Sequence, residues 1–139
     1  MVTASIAGVG GSIPSRATKD CMKILFLDDD KDRHRKFKMN RIGMDITAVW
    51  TYADACVALT KTIFDEAYLD HDLSEMAAAG MPAPGEKTGT HVAEFIASLP
   101  EEKRPKRIII HSFNDDGRRR MARILREVGV RCVMEKFTG

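Results

Sequence analysis

Five short apolar runs, each cut off by charged or polar residues, recur along the chain with helical periods between them. They are MKILFLD (22–28), DITAVW (45–50), EAYLD (66–70), KRIIIHS (106–112) and RCVME (131–135). An apolar run of this length is what a strand covered on both faces requires. Val92, Phe95, Ile96 and Leu99 fall at i, i+3, i+4 and i+7, as do Met121, Ile124, Leu125 and Val128. That spacing lays one apolar stripe along a helix. Tyr52, Cys56, Leu59 and Ile63 make a similar stripe behind a candidate N-cap, Thr51, and Gly129 is placed to stop the last helix. Segment 31–41 is also expected to be helical, with Phe37 nearly alone among Lys and Arg. Strict alternation of strand and helix implies a mostly parallel sheet with right-handed crossovers, a doubly wound α/β domain of three layers.

At 139 residues, with 44% hydrophobic and 30% charged residues, the chain has the size and composition of one globular domain. We expect residues 21–139 to form it, behind a flexible tail over 1–20 whose Gly, Ser and Pro oppose regular structure. Segment 74–89, SEMAAAGMPAPGEKTG, reads as an inserted loop. A net charge of +2 does not announce nucleic-acid binding. Cys21, Cys56 and Cys132 have no paired spacing, which argues against a disulfide framework or zinc ribbon and fits a reducing cytoplasm. No run has the length of a membrane span and no leader pattern is present, so no membrane partner is expected.

In an open parallel sheet, ligands bind beyond the carboxyl ends of the strands, where strand order reverses. The first run ends in Asp28, Asp29 and Asp30, the third in Asp70, His71 and Asp72, and the fourth in His111 and Ser112, with Asn114 just beyond. Carboxylates converging from two strands repel one another unless a cation sits between them, and oxygen ligands favour Mg²⁺, Mn²⁺ or Ca²⁺. The competing reading makes Asp29 to Asp32 a solvated turn and helix cap. An EF-hand fits poorly: in DDDKDRHRKFKM, Arg33 takes the glycine place and Met39 that of the bidentate glutamate.

ILFLDD, LDHDL, the glycine opening the third helix and the hydroxyl residue ending the fourth strand together resemble the receiver domains of bacterial response regulators. The resemblance spans roughly residues 22–138 and implies a five-stranded sheet of order 2-1-3-4-5. It makes Asp28 and Asp29 the acidic metal pair, Asp70 the phosphoacceptor, Asp72 a metal ligand through its backbone carbonyl, and Ser112 a phosphate contact. Two features depart from it. In MEKFTG, Glu135 stands at the place of the receiver lysine and Lys136 one step later, and histidines flank the site in LDHDL and IIIHSFNDDGRRRM. These combined motifs are more specifically similar to the cyclic-phosphate processing receiver domains, which implies action on cyclic phosphate ends of nucleotides or RNA. The cofactor expected is Mg²⁺ or Mn²⁺, held by Asp28, Asp29, Asp70 and Asp72.

Histidine exchanges protons near neutral pH, so His71 and His111 are candidate acid and base beside Asp70, both expected to face the metal crevice. Ser112, Asn114 and the following helix N-terminus are placed to bind phosphoryl oxygens, and Arg33 to pair an aspartate or reach a substrate phosphate. Arg119, Arg123 and Arg126 read as a solvated helix face, and Trp50 as packing. Three readings stand: a metal-dependent processor of cyclic phosphates, a phosphoacceptor module with Asp70 as acceptor, and a degenerate receiver that binds proteins. Only four residues follow the last run, so a fifth helix is not expected. One sheet face should then show an open apolar groove, covered by residues 1–20 or by a second copy in a homodimer.

Overall fold

The computed structural model describes residues 22–73, 87–112 and 114–136. The expected tail over 1–20 and nearly all of the loop over 74–89 lie outside these residues. Within them, β1 (Lys23–Leu27), α1 (Lys31–Met39), β2 (Asp45–Val49), α2 (Tyr52–Lys61), β3 (Glu66–Leu69), α3 (Gly89–Ser98), β4 (Arg107–Ile110), α4 (Asp115–Glu127) and β5 (Cys132–Met134) follow one another, with a 3-10 turn at Glu101–Lys103 before β4. All strand pairs are parallel, in the order β2-β1-β3-β4-β5.

Side chains alternate across this sheet with the period of two that a strand imposes. Leu25, Leu27, Ala67, Leu69, Ile108 and Ile110 face the larger core, where α2 contributes Ala55 and Leu59, α3 Val92 and Ile96, and α4 Met121 and Leu125. The opposite parity carries Ile24 and Phe26, which meet Phe37 of α1 with Ile46 and Tyr68 at the margin. Phe26 and Phe37 stack at 4.1 Å between centroids, and the Arg41 guanidinium lies 3.7 Å over the Phe37 ring. Among the described residues, α1 and Arg41 pack on the aromatic side of the sheet, a contact worth more than its area alone.

The helix ends follow the expected chemistry. Thr51 caps α2 by accepting from the Asp54 N–H, and Gly129 ends α4 with a positive φ of 81°. One expectation is corrected: α2 stops at Lys61, so Ile63 lies past the C-cap Thr62 and is half exposed instead of completing the stripe. Four α-helices occur among the described residues, and Ile24, Phe26 and Ile109 are no more than 2% exposed.

Candidate phosphate and metal site

Strand register assembles the site. Leu27 pairs with Val49 and Leu69, and Leu69 pairs with Ile110, so the next residues, Trp50, Asp28, Asp70 and His111, form one row at the carboxyl edge. By parity this row shares the α1 side of the sheet with Phe26, Tyr68 and Ile109. β1 lies between β2 and β3, the point where strand order reverses.

The acidic run that closes β1 divides into three tasks. Asp30 caps α1, accepting from the N–H groups of Asp32 (2.8 Å) and Arg33 (3.1 Å), as the capping reading anticipated. Asp28 is fully buried and ionic: Arg33 donates to it through Nε at 2.8 Å and Nη2 at 2.9 Å, and His111 Nε2 lies 2.8 Å from its Oδ2. An ionised carboxylate only accepts, so His111 presents its proton at Nε2. Asp29 is left for the cluster, where one oxygen each of Asp28, Asp29 and Asp70 lie within 4.8 Å of one another.

The electrostatics separate these carboxylates. Burial alone would raise Asp28, but the hydrogen bonds from His111 and Arg33 outweigh it and bring its pKa down to about 2. Burial, together with the charges of Asp28 and Asp29, pushes Asp70 up to about 7 against the opposing pull of Arg33. Burial and the Asp28 charge likewise push Asp29 up to about 6. Burial first and the neighbouring negative charges second hold these two carboxyls far above their usual range, and Arg33 does not offset them. The donor set is hard oxygen and in excess of its internal cation, which fits a divalent ion such as Mg²⁺ or Mn²⁺.

The Asp72 carboxylate is 66% exposed and lies 2.9 Å from His71 Nδ1, outside the group of three carboxylates; the ligand expected from this residue is its backbone carbonyl. His71 is one position past the row, and its parity turns the ring toward α4, where a Cβ on Gly117 would meet ring atoms at 2.5 Å. His111 faces Asp28; His71 faces Asp72 and the α4 N-terminus. Ser112 is buried and its Oγ accepts from the Asn114 N–H at 3.0 Å, while Asn114 caps α4 by accepting from Gly117 N–H at 2.8 Å. Lys136 is exposed and has no ion pair among the described residues, whereas Glu135 lies 4.0 Å from Arg107. The cation in the acidic site comes from Arg33 of α1 and not from the strand-five end.

His34 is a neighbour that sequence reasoning missed. Its ring is buried, stacks on Trp50 at 3.9 Å, and donates from Nε2 to the Asp28 carbonyl at 2.8 Å. The available signal was its position three residues before Phe37, on the same helix face. Burial lowers its pKa, keeping the imidazole neutral against the Trp50 ring.

Gly89 brings α3 against the site. A Cβ there would lie 2.2 Å from the Asp70 carbonyl oxygen and 2.8 Å from His71 Cα, both backbone atoms that have little room to give. Gly89→Ala is expected to cost about 3 kcal/mol or more, the upper range for overpacking. Urea unfolding with an unchanged midpoint would contradict this.

The model for the family described as "Cyclic-phosphate processing Receiver domain" matches residues 23–127. No curated protein matches. Among solved structures, a CheY-like response regulator receiver domain from Methylobacillus flagellatus superposes with a TM-score of 0.61 at 19% identity, over 86% of this chain and 89% of that one. A CheY-like receiver domain protein from Methanospirillum hungatei JF-1 gives 0.56 at 16% identity, over 83% and 82%. The response regulator domain of Thermotoga maritima CheB gives 0.55 at 16% identity, over 86% and 83%. These likenesses carry the receiver fold, and the match over residues 23–127 carries more: the chain belongs to the cyclic-phosphate processing receiver domain family.

Proposed function

We propose that this domain is a divalent-metal-dependent phosphoesterase that opens cyclic phosphate ends of nucleotides or RNA. The observation that carries the reading is the meeting, at one strand edge, of three carboxylates, a guanidinium and a proton-bearing imidazole. Opening a cyclic phosphate needs water to add to phosphorus, one ring P–O bond to break, a base to take the water proton and an acid to protonate the leaving alkoxide. Asp28, Asp29 and Asp70 would hold a divalent cation, which when bound would polarise a phosphoryl oxygen. The described residues supply the rest. Arg33 matches two non-bridging oxygens with its planar fork, and the α4 N-terminus beside Ser112 and Asn114 offers N–H groups to the phosphoryl group.

Each histidine is paired to a carboxylate through one ring nitrogen, His111 through Nε2 to Asp28 in the row and His71 through Nδ1 to Asp72 on the α4 side, and we assign the two proton transfers to the pair jointly. Substituting either by Gln is expected to reduce turnover by about 10² to 10⁴. The check is steady-state hydrolysis of a nucleoside 2′,3′-cyclic phosphate with Mg²⁺ or Mn²⁺. Undiminished rates in His111→Gln and His71→Gln would remove both assignments.

A second reading is favoured by the position of Asp70 at the end of β3 beside the acidic pair: a phosphoacceptor module. Its test is stoichiometric labelling of Asp70 by a small acyl phosphate with Mg²⁺, without release of product. Against it stands the exposed Lys136, which leaves the acidic site without a strand-five cation among the described residues. Binding of a partner protein with neither labelling nor turnover would favour the degenerate receiver instead.

A further inference from the structure

We propose that Arg33 is a tethered counter-cation that guards the acidic site, so that a divalent ion binds weakly alone and more tightly together with a phosphate ligand that draws the guanidinium away. The proposal rests on the reading of this site as one for phosphate esters. Its basis is the place of a single nitrogen. Arg33 Nη2 lies 2.9 Å from Asp28 Oδ1, 3.7 Å from Asp29 Oδ1 and 3.6 Å from Asp70 Oδ2, the three carboxylates that form the candidate metal cluster. Nη1 adds a contact of 3.8 Å to Asp30. A divalent ion held by those oxygens at about 2.1 to 2.5 Å would fall within the space that Nη2 fills. Two cations cannot share it.

The same side chain is built to leave. Among the described contacts, its hydrogen bonds to the cluster are the two-pronged pair with Asp28, while its distances to Asp29 and Asp70 exceed those of a hydrogen bond. Its side chain is 25% exposed, on the first turn of α1 beside the opening of the site. A phosphoryl group offers the guanidinium a second pair of oxygens of matching geometry. Movement of Nη2 toward that group would free Asp29 and Asp70, whose mutual repulsion then favours a metal. Phosphate and metal binding are therefore positively coupled through Arg33. By linkage each ligand must strengthen the other by the same factor.

The test is calorimetry on the full chain with two probes, Mg²⁺ and inorganic phosphate, each titrated alone and in the presence of the other. For the wild type, each probe is expected to tighten the other by a common factor of about 5 to 150. Arg33→Met keeps much of the apolar stem and removes the fork. It should bind Mg²⁺ at least about 5-fold more tightly than wild type without phosphate, and show no phosphate coupling. Arg33→Lys, a point charge that cannot grip two oxygens in parallel, should fall between. Equal Mg²⁺ affinity in Arg33→Met and wild type would overturn the proposal, as would coupling that survives in that variant. If Arg33→Met fails to fold, the wild-type titrations decide: independent binding of the two probes overturns it. Turnover of cyclic phosphates without such coupling would remove this inference alone, and coupling without turnover would remove the phosphoesterase reading alone.

Discussion

Replacing Asp70 by Asn should erase the thermal response to divalent ions while the protein stays folded. In the wild type, Mg²⁺ or Mn²⁺ at a hundred times its dissociation constant adds ~2.7 kcal/mol, roughly 10 °C in a domain of this size. The variant keeps the shape of the side chain and removes a charge from the centre of the cluster, so the shift should fall close to zero. Its pH behaviour gives a second reading. The folded pKa of Asp70, about 7, lies above its ordinary value of 3.8, so the carboxyl contributes stability that is present below pH 4 and lost as pH rises through 7. Asp29, raised to about 6, acts in the same direction over a lower window. The metal-free wild type should therefore lose stability between pH 4 and pH 7, and Asp70→Asn should lose less. Calorimetric melts with and without millimolar metal measure both effects. A full metal shift in Asp70→Asn would exclude Asp70 as a ligand.

A larger loss is expected from Asp28→Ala. The Asp28 carboxylate is fully buried, takes two hydrogen bonds from Arg33 and one from His111, and accepts the Asp30 N–H at 2.9 Å where the chain leaves β1. Truncation leaves a guanidinium and a buried imidazole facing a cavity, and breaking a buried pair from one side costs about 3 to 5 kcal/mol. Asp28→Asn should cost less, because it keeps the volume and part of the bonding. Urea unfolding of both variants is the check, with the midpoint lowered and the slope unchanged. A loss below ~1 kcal/mol in Asp28→Ala would mean that Arg33 and His111 find other partners at no cost.

The sheet was legible because each strand is an uninterrupted apolar run and the helices repeat at 3.6. The site was legible as a set of strand-end residues, since a parallel sheet must gather its carboxyl ends on one edge. Parity was not legible, and both histidines were expected to face the metal crevice. Asp28, Asp70 and His111 sit in one row and turn to the α1 side, while His71 sits one residue later and turns to Gly117 of α4. A slip of one residue reverses the face, and strand ends read from composition carry that error. The guanidinium in the site is a related case. Arg33 was read as free to pair or to reach outward, and only the distances show that it bridges Asp28, Asp29 and Asp70. His34 escaped notice because a histidine on a basic helix resembles a solvated residue, and its burial depends on Trp50 arriving from β2.

The central claim is that this edge performs phosphoester chemistry, and phosphorus NMR tests it most directly. The full-length protein is incubated with a nucleoside 2′,3′-cyclic phosphate in large molar excess, with Mg²⁺ or Mn²⁺ near neutral pH. The cyclic diester signal should be replaced by a monoester signal over many turnovers, with loss of turnover in Asp70→Asn and His111→Gln. An unchanged diester, alongside one equivalent of phosphate carried on Asp70 after treatment with an acyl phosphate, would contradict the claim and establish the phosphoacceptor reading.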